Sequence, residues 1–366
     1  MRINRIALNG FRNYDFQAAD FSPGTNVIYG ENAQGKTNLL ESVYMLAMGR
    51  SFRTRFDREL IGFGCDSAEI LADVVSHERE HTVRILLRSG VRKQITVNSV
   101  KKTASELGET LNVVLFCPDD LNLIKEGAAA RRRLMDNAIS QIRPRYAEYL
   151  SQFNKFYESK TRILKDWREK PSLLDTLDEF SDGMCRSSAQ LIRYRASFAA
   201  RLADEAAPIH SEFSGADEKL GIEYSTVSAV KDPTASAKEI FYDLCDHMEA
   251  HRRAELDSGQ CLSGAHKDDL IISINGKNAR SFASQGQTRT AALSIKLAER
   301  EIYLDETGEY PILLLDDVLS ELDTKRQEFV LNRIGGGQTL ITCCEDEGIS
   351  RRTGGKVLHV GNGRIG

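Results

Sequence analysis

Near the start of the chain, Gly30, Glu31, Asn32, Ala33, Gln34, Gly35, Lys36 and Thr37 have the types and spacing needed to hold a polyphosphate. The glycines let successive backbone N–H groups converge on phosphate oxygens. Lys36 reaches the β- and γ-phosphates, where it also serves catalysis, and the Thr37 hydroxyl stands where a Mg²⁺ ligand is needed, with Asn38 following in the same turn. A second chemical group lies far along the chain, where an apolar run from Leu313 to Leu315 ends in Asp316 and Asp317. Asp316 suits the metal, directly or through water, and Asp317 suits a catalytic base that orients or deprotonates an attacking water. An aspartate is a short side chain for this work, so slow hydrolysis is expected. Between them, Ser284, Gln285, Gly286 and Gln287 set small and amide side chains on the start of a helical pattern, whose N-terminus attracts anions. These features form two halves of one ATP site.

The elements that must position these groups are legible around them. Residues 26–29 read as a short apolar strand and residues 36–48 as a helix, giving the strand, loop and helix that a phosphate cradle requires. Residues 312–315 read as a buried strand, which delivers its two acids at the carboxyl end, where open α/β sheets place ligands. Ala291, Leu293, Ile295, Leu297, Ala298 and Ile302 define the long helix behind Ser284. Further strands are expected at 68–75, 81–87, 94–97, 220–224, 338–342 and 357–360. The span 119–261 is almost all helical in pattern, broken at Pro171, Pro208 and Pro233. The fold class is therefore α/β with an inserted, mostly helical second domain. The expected division is 1–118 with 262–366 for the discontinuous head and 119–261 for the insertion.

With 366 residues and 41% hydrophobic content the chain can bury a core in two domains. No apolar run approaches the length of a membrane span, and the first residues read as strand rather than as a secretory leader. Seven cysteines without a C-x-x-C spacing argue against a disulfide framework and a zinc site, which fits a reducing cytoplasm. Adjacent Cys343 and Cys344 read either as a redox pair or as two small residues leaving a strand. A net charge of −4 and a pI near 6.1 do not favour nucleic acid, so any DNA contact must come from local clusters. Arg50, Arg53 and Arg55, interleaved with Phe52 and Phe56, form one cluster, and Arg131, Arg132 and Arg133 form another. Each reads either as a phosphate-contacting surface or as an ion-paired, solvated face.

The order and content of these blocks resemble the ATP-binding-cassette ATPases and, within them, the RecF family. The blocks that narrow the resemblance are residues 2–14, ending Gly10-Phe-Arg-Asn-Tyr14; Gly49-Arg-Ser-Phe-Arg-Thr54; Pro118-Asp-Asp-Leu121; Arg131-Arg-Arg-Leu-Met-Asp136; Gly264-Ala-His-Lys-Asp-Asp-Leu270; and Phe282-Ala-Ser-Gln-Gly-Gln-Thr-Arg-Thr290. The resemblance implies an ABC/SMC-type P-loop ATPase head. It implies an ATP-dependent homodimer in which Ser284 to Gln287 meet the nucleotide held by the other subunit and Ser320 to Asp323 cross the same interface. It also implies a cytoplasmic, DNA-binding recombination mediator that works with RecO and RecR to load RecA at junctions of single-stranded and duplex DNA. Roles in replication-fork maintenance and the SOS response come with it.

The chain departs from the pattern in three places. Cys343 and Cys344 stand where cassette ATPases carry a switch histidine, no glutamine loop is evident around Phe116 to Leu121, and Ala265 and Lys267 replace a more usual proline and arginine. Whether Asp119 or Asp120 approaches the metal, and whether Arg289 acts in cis or in trans, stay open. His266 reads as a site-closing or a packing residue. Two functional readings remain, a mediator with weak DNA-dependent ATPase activity and a structural ATP-gated DNA clamp with incidental turnover. A transporter subunit is disfavoured by the helical insertion, and a GTPase by the lack of an N-K-x-D motif.

Overall fold

The computed structural model describes residues 1–344 and 348–366, which divide into two units: residues 1–122 with 289–366, and residues 123–288. The first unit is built from two kinds of strand. Ser67–Ser76 and Arg79–Arg88 alternate buried and open side chains, as strands of a one-faced antiparallel sheet do. They lie in a six-stranded sheet ordered Tyr14–Asp20, Arg2–Phe11, Ser67–Ser76, Arg79–Arg88, Val91–Val97, Val100–Lys101. Ile312–Asp316 and Thr339–Cys343 are buried at every position instead, which suits parallel strands covered on both faces. The second sheet is ordered Arg364–Ile365, Lys356–Gly361, Thr25–Tyr29, Thr339–Cys343, Ile312–Asp316, Val113–Phe116, with only the Arg364–Ile365 pairing antiparallel.

The cradle helix Lys36–Met48 is buried on nearly all sides, and its Leu39, Leu40, Val43, Met45 and Leu46 share one core with both sheets. Parallel register then decides what meets at the sheet's carboxyl edge. Asp316 pairs with Thr342, and Thr342 with Ile28, so the Thr339–Cys343 strand stands between the cradle strand and the acid.

The second unit carries the helices Ala128–Ile142, Pro144–Asp166, Leu177–Ser214, Ala237–Ala250 and Arg252–Ser258. Its antiparallel sheet orders Lys277–Asn278, Asp269–Ile274, Leu220–Ser225. Because Asp269–Ile274 pairs along Leu220–Ser225, residues 262–288 cluster with this unit, although the sequence pattern places them in the head. Pro208 does not end its helix, which runs on through buried Ile209 and Phe213 to a left-handed Gly215. Arg195 ties the unit together: its guanidinium donates to Asp136 and Asp268, and Tyr224 and Thr226 donate to the same Asp268. Removing the partner of so deeply buried a charge costs about 3–5 kcal/mol.

Candidate functional site

Two glycines make the cradle loop possible. At Gly30, φ is +152° and an added Cβ would lie 2.0 Å from the Val360 carbonyl oxygen; at Gly35, φ is +124° and a Cβ would strike Asn13 and the Tyr14 hydroxyl. No L side chain fits either place. Asn13 Nδ2 donates to the Gln34 carbonyl at 2.8 Å and the Tyr14 hydroxyl to that of Gly35 at 3.0 Å, so the Arg12–Tyr14 turn supports the loop from behind. The cradle helix begins without a side-chain cap or an acid in its first turn, which keeps its positive end for an outside anion. Lys36 Nζ folds back onto the Gly30 and Glu31 carbonyls, the latter at 2.9 Å. Asn32 Oδ1 accepts from the Cys344 thiol at 3.1 Å, and Gln34 Oε1 from the Asn362 N–H at 2.6 Å. Asn38 is spent on its neighbours: Nδ2 donates to Asn13 Oδ1, and Oδ1 accepts from Arg53.

The register of the parallel sheet brings Asp316 to this loop. Thr37 Oγ1 donates to Asp316 Oδ1 at 2.9 Å, and Thr342 Oγ1 donates to the same oxygen at 2.9 Å. Burial pushes the Asp316 carboxyl up from its usual range, while these two hydroxyls pull it back down. Thr342 Oγ1 also accepts the Asp317 N–H at 2.8 Å and so holds Asp317 in a left-handed conformation with φ of +52°. Such a backbone costs about 1–3 kcal/mol and persists only where its surroundings enforce it. Ser320 Oγ donates to the Asp317 carbonyl at 2.6 Å and reaches its Oδ1 at 3.2 Å.

Several functional neighbours escape sequence reasoning. Thr342 stands one residue before the place where a switch histidine was sought, and only its register shows that it touches both acids. Glu41, fully buried in the cradle helix, takes two bonds of 2.8 Å from Arg12 and lies 3.6 Å from Arg53. An acid set among the apolar Leu39, Leu40, Val43 and Tyr44 of the cradle helix was the available signal.

The remaining expected groups fall as follows. Ser284 and Gln287 form a reciprocal cap in the second unit: Ser284 N–H donates to Gln287 Oε1 at 2.9 Å, and Gln287 N–H to Ser284 Oγ at 3.2 Å. Gln285 is exposed beside them, with Gly286 partly covered. Asp323 caps the helix Thr324–Arg333 by accepting from Arg326 N–H. Arg289 donates to the Glu321 carbonyl of its own chain at 2.6 Å. Asp120 accepts from the Cys117 N–H and thiol, closing its own turn. His266 packs on Tyr157 with ring centroids 4.7 Å apart, and its Nε2–H meets the Cys261 carbonyl, so it is a packing residue of the second unit.

The second arginine cluster needs correction. Arg131 is buried, paired with Asp269 through two bonds of 2.7 and 2.9 Å, and donates to the carbonyls of Leu123 and Glu126. It is structural, because a buried guanidinium committed to Asp269 and to loop carbonyls presents no open face to a phosphate. Arg132 is half-buried and donates to the Asp268 carbonyl, leaving Arg133 as the exposed member. In the first cluster Arg50 and Arg55 are exposed, and Arg53 is divided between Asn38 and Glu41.

A parallel sheet that carries a glycine-bounded cradle on one strand, and a carboxylate bonded to the cradle threonine on another, defines a P-loop ATPase head of the chromosome-maintenance type. The family profile described as RecF/RecN/SMC N terminal domain matches residues 2–354. The DNA replication and repair protein RecF of Acetivibrio thermocellus is 39% identical over 362 residues, covering 98% of this chain and 98% of that protein. The RecF of Listeria welshimeri is 42% identical, covering 96% and 95%. A solved structure of the recombination mediator protein RecF with ATP superposes with a TM-score of 0.90 at 34% identity, covering 100% of this chain and 96% of that one. The Smc head domain of Pyrococcus furiosus, at 16% identity and a TM-score of 0.57, shares the fold. The chain belongs to the RecF family.

Proposed function

We propose that the chain is an ATP-dependent, DNA-binding recombination mediator of the RecF type. The observation that carries this reading is the convergence of Thr37, Asp316 and Thr342 beside the cradle loop, within a chain 34% identical to a RecF solved with ATP. Lys36 would leave the loop carbonyls for the β- and γ-phosphates, and the open helix N-terminus would receive the anion. The oxygen donors of Thr37 and Asp316 fit Mg²⁺, a hard cation that prefers oxygen ligands. Bound there, Mg²⁺ would neutralise charge developing on the β- and γ-oxygens. Asp317, fixed through its N–H by Thr342, would orient the attacking water. Gly30 to Thr37, with Asn38 supporting from below, would form one face of the nucleotide site. Ser284, Gln285, Gly286 and Gln287 of a second copy would form the other, making ATP the bond of a homodimer.

Closure on DNA, at duplex and at junctions of duplex with single strand, would use Arg50, Arg53, Arg55 and Arg133. Release would follow weak hydrolysis. RecR, RecO and RecA are the partners this reading implies, in gap repair, fork maintenance and the SOS response, in the cytoplasm; no helix among the described residues is long and apolar enough to cross a membrane. A second reading, a structural ATP-gated clamp with incidental turnover, is favoured by the short Asp317 side chain and its contact with Ser320.

The test is anisotropy of labelled gapped duplex at fixed salt with ATP, with ADP and without nucleotide, alongside Lys36→Met. Binding that requires ATP and Lys36 supports the mediator. Binding indifferent to both refutes it, and turnover unchanged by DNA selects the clamp.

A further inference from the structure

The Ser284–Gln287 turn is gripped by side chains from elsewhere in its own unit. Gln287 Nε2 donates to Glu218 Oε1 at 2.8 Å, and the other carboxylate oxygen of Glu218 meets Nε2 of the fully buried His210 at 3.1 Å. Glu218 is delivered to this place by a sharp reversal after the helix Leu177–Ser214, where Gly215 and Ala216 both adopt left-handed backbone, with φ of +71° and +67°. On the other side of the turn, Lys125 Nζ donates to the carbonyls of Arg280 at 3.2 Å and Ala283 at 2.9 Å.

Neither contact is needed merely to start a helix, because the reciprocal cap between Ser284 and Gln287 already does that. The Ser284 N–H calls for the acceptor end of the Gln287 amide, and Glu218 holds the same orientation from the other end. A carboxamide has a donor end and an acceptor end of nearly equal shape, and the wrong end would set NH₂ against the Ser284 N–H. Glu218 only accepts. It therefore locks the orientation in which Oε1 serves Ser284 and Nε2 is turned toward Glu218. The amide, held at both ends, anchors the Ser284 backbone N–H, and the Ser284 hydroxyl, which accepts from the Gln287 backbone N–H, keeps its own proton for an outside acceptor.

We propose that Glu218 is a positioning residue for the Ser284–Gln287 turn, orienting the Gln287 amide so that the Ser284 hydroxyl is preset to donate to a nucleotide phosphate on a second copy of the chain. This rests on the reading that the turn meets the partner's nucleotide. His210 holds Glu218 from inside the unit, so the carboxylate reaches the turn from a rigid support.

The experiment compares Glu218→Gln, which keeps the reach and removes the charge, with Glu218→Asp, which keeps the charge and shortens the reach by roughly 1.5 Å. ATP-dependent dimerisation of the full chain is followed by analytical ultracentrifugation, and nucleotide affinity of the monomer by titration with a fluorescent ATP analogue. Glu218→Gln should dimerise within about threefold of wild type, its amide oxygen replacing the carboxylate as acceptor. Glu218→Asp should weaken dimerisation by about tenfold or more, since the shortened side chain no longer reaches Gln287 Nε2 and the bond is lost at each of two turns. Monomer nucleotide affinity should not change in either variant. Wild-type dimerisation by Glu218→Asp, or equal weakening in both variants, overturns the proposal. Gln287→Ala is run beside them. If it loses dimerisation while Glu218→Asp keeps it, the positioning role alone fails. If it dimerises as wild type, the reading of the turn fails and the proposal with it.

Discussion

Replacing Thr342 with valine keeps the side-chain volume and removes one oxygen from the middle of the site. That oxygen donates to Asp316 Oδ1 at 2.9 Å and accepts from Asp317 N–H at 2.8 Å, with Thr342 only 1% exposed. The charge-assisted bond contributes about 1.5–3 kcal/mol, and an orphaned buried N–H costs about 1–3 kcal/mol. The two do not add, because Asp317 is held at a φ of +52° that it can leave once its N–H is released. A net effect of about 2–4 kcal/mol follows. Part appears as stability, read from urea denaturation without nucleotide. The rest appears in turnover at saturating MgATP if Asp317 orients the attacking water as proposed, since a relaxed Asp317 no longer holds its carboxylate in place. Loss of the Thr342 bond also lets burial raise the Asp316 carboxyl further, so if Asp316 holds the metal as proposed, metal affinity should begin to fall at a higher pH. Thr342→Val should lose roughly 2 kcal/mol of stability and slow turnover about tenfold or more, while Thr342→Ser should recover both to within about threefold. A valine variant with wild-type turnover and an unchanged urea midpoint would refute the coupling of the two acids through this residue.

Other expectations follow from the same geometry. Arg131→Met should cost about 3–5 kcal/mol in urea denaturation, because Asp269 loses its bidentate partner, yet leave the salt slope of DNA binding unchanged; a shallower slope would return Arg131 to the DNA surface. Arg55→Ala, at an exposed position, should lower that salt slope by about 0.9 if the residue meets one phosphate, and no change would remove it from the interface. Burial pushes His266 down to about 4, and its buried Nδ1 has no partner for a second proton. The unfolded chain, with an ordinary value of about 6.5, therefore takes up this proton first, so its stabilising contribution is complete above that pH and is lost as the pH falls toward the folded value. The difference is about 3 kcal/mol, and stability of His266→Phe measured across that window should have a flatter slope than wild type; equal slopes would contradict it.

The local requirements of the cradle are written in consecutive residues. Gly30 and Gly35 occupy backbone that other residues cannot adopt, Lys36 and Thr37 follow at fixed spacing, and the apolar runs on either side must be strand and helix whatever surrounds them. Ile312–Asp316 was equally legible, because a strand buried on both faces has no polar positions to disguise it. Arg131 was not legible: three adjacent arginines look alike in sequence, and only the packing of Ala128–Ile142 shows one turned inward to Asp269 while the third faces solvent. The limits of the second unit were hidden for a related reason, since a strand such as Asp269–Ile274 carries no mark of which partner it will pair with.

By itself, then, the sequence determined the local groups: a glycine-bounded cradle loop, two acids at the end of a buried strand and a small-residue helix start, each encoded within a few neighbouring residues. Tertiary structure alone decided their contacts. The parallel register set Thr342 between Asp316 and Asp317, the buried Glu41 claimed Arg12 and came within reach of Arg53, and the reversal at Gly215 carried Glu218 to Gln287. Local backbone preferences act over a turn or a strand, whereas these contacts join residues far apart in the chain. Only the closing of the sheets and the packing of the helices brings such residues within hydrogen-bonding distance.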